Sequence, residues 1–141
     1  MAVITVGVDG SEGASTGLRW AAAEARLRGA LLRVVHTWNI PTMASGTGFA
    51  VPATIELDLG HGAKVGLDKW LEDAKAELDG VEVERRIVKG HAATVLTDAA
   101  TDAELLVVGS RGLGGFSELL LGSVSHECAQ RAHCPVVIVR S

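Results

Sequence analysis

The sequence predicts an α/β fold in which helices cover both faces of one parallel sheet. Short apolar runs alternate with stretches of helical periodicity in the order β-α-β-α-β-α-β-α-β, which amounts to five strands and four helices. Strands that alternate with helices imply right-handed crossovers and a doubly wound sheet. Apolar residues make up 48% of the chain and aromatic residues only 4%, so small aliphatic side chains build the core. Residues 1–141 are expected to form a single domain.

The first two strands are predicted to flank an amphipathic helix. Ala2 to Val8 forms an apolar run that ends at Asp9, and Leu31 to Trp38 forms the second run. Gly29 suits the C-terminal cap of the helix between them, because glycine readily adopts positive φ. The apolar residues of this helix share one face at helical spacing: Ala14, Leu18, Ala21, Ala22 and Ala25.

A long loop and a second helix are predicted next. The segment from Asn39 to Thr54 holds all but one of the prolines and many small polar residues, which is typical of a loop. The helix is predicted over roughly Lys64 to Leu78 and is ended by Gly80. Its buried stripe consists of Leu67, Leu71, Ala74 and Leu78.

The third strand is predicted from an alternation of apolar and charged residues between Val81 and Ile87. Because Glu82, Glu84 and Arg86 occupy one face, that face should be at least partly wet, as at a sheet edge. A short helix follows Gly90. Its apolar residues are Val95, Leu96, Ala99 and Ala100.

The last part of the chain is predicted to contain two strands separated by a glycine-rich segment and a helix. Leu105 to Val108 has no polar side chain and should be a central strand. Pro135 to Val139 forms the closing strand. If that strand is an edge, pairing with a second copy would cover its unpaired backbone groups. The helix before the closing strand is predicted to have three residues that face inward: Val124, Cys128 and Ala132.

Charge and composition argue against several classes of partner. The chain has 13 basic and 17 acidic residues, a net charge of −4, so no broad positive field favours nucleic acid or an anionic membrane. The N-terminus lacks the basic segment of a signal peptide, and no apolar stretch approaches the roughly 18 residues of a membrane span. We therefore expect a cytoplasmic protein. Cys128 and Cys134 are expected to be free thiols, and their spacing from nearby histidines matches no common zinc pattern.

A glycine-rich segment from Val107 to Ser125 suggests a phosphate site. It reads V-V-G-S-R-G-L-G-G-F-S-E-L-L-L-G-S-V-S and follows the fourth strand. Glycines let backbone N–H groups approach a phosphate, and the first N–H groups of a helix have no intrahelical partner. Gly122 would cost about 1 kcal/mol inside a helix, a cost that vanishes if the helix begins there. The alternative is a glycine-rich connector in which Ser123 is an ordinary N-cap.

Two common phosphate-binding motifs are excluded. A P-loop requires a Gly-Lys pair followed by Ser or Thr, and the sequence has no Gly-Lys pair. The dinucleotide fingerprint G-x-G-x-x-G is not found after the first strand, where the chain reads G-V-D-G-S-E-G. Asp9 and Glu12 in that loop would repel a pyrophosphate, so the loop is not expected to hold the phosphates.

The spacing Gly109-x2-Gly112-x9-Gly122-Ser123 resembles the ATP-binding signature of the universal stress protein family. The likeness extends along the whole chain: V-G-V-D-G-S is similar to the first strand and acidic turn, V-V-H to the end of the second strand, and C-P-V-V-I-V to the closing strand. The resemblance implies a Rossmann-like, five-stranded parallel sheet of order 3-2-1-4-5. It also implies an adenine nucleotide, ATP, across the ends of strands one, two and four, and a homodimer through the closing strand.

Carried over by position, the resemblance implies five contacts with the adenosine part of the ligand. Asp9 would accept a hydrogen bond from the adenine or ribose side, and Gly7 and Val8 would line the pocket. Thr37 and Val108 would lie against the adenine, although family members often carry an apolar residue at the Thr37 position. Because D-G-S-E also has the form of a capping box, an N-cap role for Asp9 stays open.

The resemblance implies a second group of residues at the ribose and phosphates. These are Gly109, Gly112, Gly122, Ser123, Val124 and Ser125. Arg111 is a further candidate for phosphate contact, with a solvated surface position as its alternative. Triphosphate charge on an acidic protein favours a divalent cation such as Mg²⁺.

The function that these features predict is ATP binding by a nucleotide-dependent regulator or sensor in stress response. No Ser-His-Asp or paired-carboxylate arrangement can be read from the chain, so no catalytic residue is predicted and any ATP hydrolysis would be weak and metal-assisted. Two alternatives stay open: a weak metal-dependent ATPase, and a nucleotide-free dimeric module that acts by protein contact.

Overall fold

One parallel sheet and the helices on its two faces form the part of the chain that the computed structural model describes, residues 1–9, 12–39, 53–110 and 121–140. The strands are β1 (Val3–Val8), β2 (Leu31–Trp38), β3 (Val83–Lys89), β4 (Leu105–Gly109) and β5 (Val136–Val139). The helices are α1 (Glu12–Arg28), α2 (Ala53–Asp73), α3 (Ala92–Ala99) and α4 (Ser123–Arg131).

The strands are ordered β3-β2-β1-β4-β5, and every neighbouring pair is parallel. The chain therefore builds the sheet outward from β1 to β3 and then returns to the other side of β1 for β4 and β5. The strand order reverses between β1 and β4, which is where ligands of open α/β sheets bind, beyond the carboxyl ends of the strands. The predicted fold class and strand order are confirmed.

The sheet separates two apolar clusters, because successive residues of each strand face opposite sides. Ile4 and Val6 of β1 pack with α1 and α2 on one face. Leu106 and Val108 of β4 pack with α3 and α4 on the other face. These clusters fix the position of the helices relative to the carboxyl ends of the strands.

The predicted inner face of α1 is confirmed, since Ala14, Leu18, Ala21, Ala22 and Ala25 are all buried. Small side chains let this helix lie close to β1 and β4. Gly29 follows α1 with φ +64°, the left-handed conformation expected for a glycine that ends a helix.

The predicted bounds of α2 are wrong at both ends. The helix begins at Ala53, inside the predicted loop, and ends at Asp73 rather than Leu78. Gly60, Gly62 and Gly66 weaken the helical pattern in the sequence, but packing overrides that weak preference. A Cβ atom built on Gly60 would lie 3.0 Å from Cζ2 of Trp38, so the glycine lets the helix lie against the indole ring. Residues 40–52 of the predicted loop lie outside the described ranges.

A buried arginine joins β2 to two other parts of the fold. Arg33 is 5% exposed, and its guanidinium donates hydrogen bonds to Glu84 of β3 at 2.7 Å and to Asp102 at 2.6 and 3.2 Å. It also donates to the carbonyl oxygen of Ala99 at 2.7 Å. Arg33 therefore links β3 to the turn before β4. The alternating charges predicted that β3 is an edge strand, and this is confirmed.

Within the described residues, β5 lies at the edge of the sheet opposite β3, and its four residues are half-buried. The predicted inward residues of α4 are confirmed: Cys128 is buried, and Val124 and Ala132 pack against the same cluster. Among the helices of the described ranges, none is both long and apolar enough to cross a membrane.

Candidate functional site

The carboxyl ends of β1, β2 and β4 meet at one edge of the sheet and bring together several of the predicted site residues. Val8 is in register with His36, so Asp9 and Thr37 follow at the same level on neighbouring strands. Gly109 ends β4 on the other side of β1. Asp9 and Thr37 are half-buried, which leaves part of each side chain open to solvent. The structure therefore assembles these residues around the point where strand order reverses.

Gly7 and Val8 contribute to this edge mainly through their backbone. A Cβ atom built on Gly7 would lie 2.7 Å from Cδ1 of Leu96, so α3 occupies the space where a side chain would be. Val8 is 6% exposed, and its side chain lies in the cluster under α1. Its carbonyl oxygen lies 3.0 Å from Nδ1 of His36. This contact gives His36 a structural role between β1 and β2.

Thr37 and Val108 lie on the α3 side of the sheet, but their exposure differs. Thr37 is half-buried and pairs with Val88 of β3. Val108 is 3% exposed and belongs to the cluster formed with α3 and α4. An adenine at this edge could contact the Thr37 side chain directly. Val108 is almost fully buried and would lie beneath the adenine.

Gly109 is required by the packing of the fold. A Cβ atom built on it would lie 2.9 Å from the carbonyl oxygen of Gly13 and 3.1 Å from its carbonyl carbon. The end of β4 and the first turn of α1 are therefore in backbone contact. Arg111 and Gly112, which the sequence also assigns to the phosphates, lie outside the described residues, as do residues 10–11 between Asp9 and α1. The capping alternative for Asp9 is therefore untested.

The start of α4 presents the backbone N–H groups of a helix N-terminus. Gly122 is its N-cap residue, so the prediction that the helix begins at this glycine is confirmed and the alternative of Ser123 as the N-cap is wrong. Ser123, Val124 and Ser125 form the first turn, whose N–H groups have no carbonyl acceptor within the helix. The helix dipole adds partial positive charge at this end. Ser123 is exposed.

Ser125 is placed differently from Ser123. It is 2% exposed, and its Oγ lies 3.0 Å from the carbonyl oxygens of both Ser110 and Gly122. The Gly122 N–H group also donates to Ser110, at 2.6 Å. The sequence does not indicate this role of Ser110, because a local pattern cannot show contacts with residues as distant along the chain as Gly122 and Ser125.

Charged groups in the middle and at the end of α4 form ion pairs with one another and with His91. His91, before α3, lies 3.0 Å from a carboxylate oxygen of Glu127, and Arg131 lies 3.7 Å from the same oxygen. The contact with His91 lowers the pKa of Glu127 below its usual value.

Burial raises the pKa of the Cys128 thiol to about 11, which makes it unreactive. Over the described ranges, no three His, Cys, Asp or Glu side chains are grouped so that they could hold a metal ion.

A separate cavity of about 590 Å³ lies between the end of β2 and α2, lined by residues that include Trp38, Leu57 and Lys64. Trp38 is two residues after His36 on the strand, and it faces the α2 side of the sheet rather than the α3 side. Lys89 lies 5.9 Å from the centre of the Trp38 ring system and pairs with Glu56. This cavity contains none of the predicted nucleotide contacts.

The sequence has relatives along its whole length. The family model described as Universal stress protein family matches residues 1–140. Universal stress protein Rv2624c of Mycobacterium tuberculosis is 37% identical over 145 residues, covering 100% of this chain and 49% of that protein. Universal stress protein YxiE of Bacillus subtilis is 36% identical over 142 residues, covering 96% of each. The chain thus spans about half the length of its mycobacterial relative and nearly all of its Bacillus relative.

Solved structures share the fold. Hypothetical protein MJ0577 superposes with a TM-score of 0.82 at 23% identity, covering 99% of this chain and 96% of that one. A universal stress protein in complex with cAMP has a TM-score of 0.68 at 26% identity, covering 98% and 95%. The Archaeoglobus fulgidus universal stress protein in complex with dAMP has a TM-score of 0.69 at 28% identity, covering 98% and 97%. With the same sheet order, a family match over nearly every residue and relatives above 35% identity, the chain belongs to the universal stress protein family.

Proposed function

We propose that this protein binds an adenine nucleotide, with ATP as the ligand, and acts as a nucleotide-dependent regulator or sensor in stress response. The observation that carries the proposal is the position of the first turn of α4, which begins at Gly122 next to the carboxyl end of β4. Two structural neighbours at 26% and 28% identity were solved with cAMP and dAMP, so related chains hold adenine nucleotides.

The phosphates would bind at the start of α4. The N–H groups of Ser123, Val124 and Ser125 would donate to phosphate oxygens, and the helix dipole would add to the attraction. Gly122 would leave room for a close approach because it has no side chain. The exposed Ser123 hydroxyl would add a further donor. Gly112 and Arg111 remain proposed phosphate contacts outside the described residues.

The adenosine part would lie across β1, β2 and β4. The Asp9 carboxylate would accept hydrogen bonds from ribose hydroxyls or from the adenine edge, as carboxylates do for vicinal sugar hydroxyls in other nucleotide sites. Thr37 would contact the adenine, with Val108 beneath it. The backbone of Gly7, Val8 and Gly109 would line the pocket where side chains are absent or buried.

Mg²⁺ would be held mainly by the nucleotide. The described residues include no group of three carboxylates, histidines or cysteines that could form a protein cage for it. Mg²⁺ keeps several waters and often binds through substrate phosphates with few protein ligands, which fits such a site. The ion would offset part of the triphosphate charge on a chain whose own net charge is −4.

We further propose that residues 1–141 fold as one domain, that the protein acts in the cytoplasm, and that two copies pair through Pro135 to Val139. Support for the dimer is the half-buried edge strand β5, whose backbone groups a second β5 could pair with. A monomer in light scattering at micromolar concentration would contradict the dimer without affecting the nucleotide site.

Nucleotide binding is tested by releasing and identifying any small molecule that copurifies with the protein. Calorimetry should then compare ATP, ADP, AMP and cAMP on the nucleotide-free chain. We expect ATP to bind with a favourable contribution from each added phosphate. If none of the four nucleotides binds, the proposed function is wrong.

A further inference from the structure

We infer that Ser125 is a positioning residue whose hydroxyl holds the phosphate-binding turn in place and does not itself bind phosphate. The neighbouring Ser123 hydroxyl is the one that faces the ligand. This inference rests on the proposed function and deepens it, because it assigns different roles to two serines that the sequence treats alike.

The Ser125 hydroxyl is directed into the protein. The residue is 2% exposed, and its Oγ lies 3.0 Å from two backbone carbonyl oxygens, those of Ser110 and Gly122. A serine hydroxyl has a single hydrogen to donate. A phosphate oxygen only accepts, so it could take this hydrogen only if both contacts were given up.

The contacts of Ser110 tie the first turn of α4 to the sheet. Its carbonyl oxygen accepts from the Gly122 N–H at 2.6 Å and from the Ser125 hydroxyl. Its own N–H donates to the carbonyl oxygen of Val139 in β5 at 2.9 Å. Ser110 is 4% exposed, so these hydrogen bonds are shielded from water. Ser110, which directly follows β4, thus joins the sheet to the start of α4.

These hydrogen bonds determine which backbone N–H groups remain available to a ligand. The Gly122 N–H is already used by Ser110, so the donors that can face a phosphate begin at Ser123. Ser123 is exposed, and it stands at the first position of the helix. Small displacements of such a turn weaken every hydrogen bond it makes to an anion. Loss of the Ser125 hydroxyl should therefore weaken phosphate binding through the position of the turn.

The test compares Ser125→Ala with its matched variant Ser123→Ala and with Ser125→Thr, which retains a hydroxyl. Amide hydrogen exchange of Gly122 is measured by NMR in the nucleotide-free protein, and ATP and adenosine affinities are measured by calorimetry. For Ser125→Ala we expect Gly122 to exchange about tenfold faster and ATP to bind about tenfold more weakly, with adenosine affinity unchanged. Ser125→Thr should restore both values towards the wild type. Ser123→Ala should weaken ATP binding without changing Gly122 exchange.

Two results for Ser125→Ala would overturn the inference, as would an unchanged Gly122 exchange together with an unchanged ATP affinity. Weaker ATP binding by Ser125→Ala with unchanged Gly122 exchange would make the hydroxyl a direct phosphate ligand. Faster exchange with unchanged ATP affinity would make the contact a structural one without effect on the ligand. If the wild-type chain binds no adenine nucleotide, the proposed function fails and the phosphate role fails with it, while Gly122 exchange still decides whether Ser125 holds the turn.

Discussion

A Cβ atom built on Gly109 would lie 2.9 Å from the carbonyl oxygen of Gly13, so β4 ends in direct backbone contact with the first turn of α1. Gly17, one turn further along α1, faces the same strand end: a Cβ atom there would lie 3.7 Å from the Gly109 nitrogen. The atoms that would be crowded at Gly109 are backbone atoms, which cannot move aside by changing rotamer. The fold alone thus requires a glycine that we also propose to line the nucleotide pocket.

Substitution of Gly109 by alanine should destabilise the protein even without ligand. We expect the free energy of unfolding to fall by about 1–3 kcal/mol, because an added methyl group must displace backbone. Gly66→Ala is the matched control: its Cβ would meet no atom within 4 Å in α2, and alanine should stabilise a helix by up to about 1 kcal/mol. Urea unfolding measures both variants. A Gly109→Ala protein as stable as the wild type would show that the contact with Gly13 is not tight.

The buried Arg33 should make stability depend on pH in the acid range. Its hydrogen bonds lower the pKa values of Glu84 and Asp102 in the folded protein. The unfolded chain therefore binds more protons than the folded chain in acid, so stability increases with pH there. The contribution of these pairs is complete above the unfolded pKa values of about 4, and it is lost as pH falls through the lowered folded values.

Arg33→Met tests this account by urea unfolding between pH 3 and pH 7. The stability gap between wild type and variant should be larger at pH 7 than at pH 3, and the variant should take up as many as about two fewer protons on unfolding. Lys75→Met is the control, because its ion pair with Glu72 has side chains 76% and 71% exposed and should have little effect. Parallel pH curves for wild type and Arg33→Met would contradict the account.

The helices and strands that the sequence predicted correctly are those whose apolar residues follow a regular local spacing. The inner stripe of α1 and the internal strand β4 were predicted because their apolar spacing is uninterrupted. The early start of α2 was not, because Gly60 looks unfavourable in a helix until Trp38 is known to lie against it. Arg33 gave no signal of its importance, since its partners Glu84 and Asp102 are 51 and 69 positions away.

For the candidate site, the sequence predicted the start of α4 and the strand ends that meet there, but not the contacts of each residue. Glycine spacing pointed to the start of α4, and Gly122 is its N-cap. Spacing cannot show that Leu96 occupies the space over Gly7, or that the Ser125 hydroxyl is directed to Ser110. Both facts depend on contacts across the fold, which a local motif does not contain.

Gly122→Val should abolish ATP binding and leave the fold intact. Gly122 has φ −73° and ψ 169°, an extended conformation that valine adopts without strain, so the glycine is not required by its backbone dihedrals. The added side chain would instead fill the space proposed for the phosphates. Calorimetry should detect no ATP binding by this variant and normal binding by Gly62→Val, whose substitution lies in open space on α2. Unchanged ATP affinity of Gly122→Val would reject the assigned phosphate site.

Removal of divalent cations should weaken ATP binding more than AMP binding. ATP carries more charge than AMP, and the chain adds a net charge of −4 of its own, so Mg²⁺ reduces more repulsion for the triphosphate. Titrations with Mg²⁺ and with excess EDTA measure the two affinities. An equal effect of EDTA on ATP and AMP would show that the metal ion does not act at the phosphates.

Amide chemical shifts of the ¹⁵N-labelled chain during an ATP titration test the proposed site most directly. The largest changes should occur at Asp9, Thr37 and Gly109 and in the first turn of α4 from Gly122 to Ser125. Saturating ATP that left these amides unchanged, or shifted instead those around the Trp38 cavity, would contradict nucleotide binding at the carboxyl ends of β1, β2 and β4.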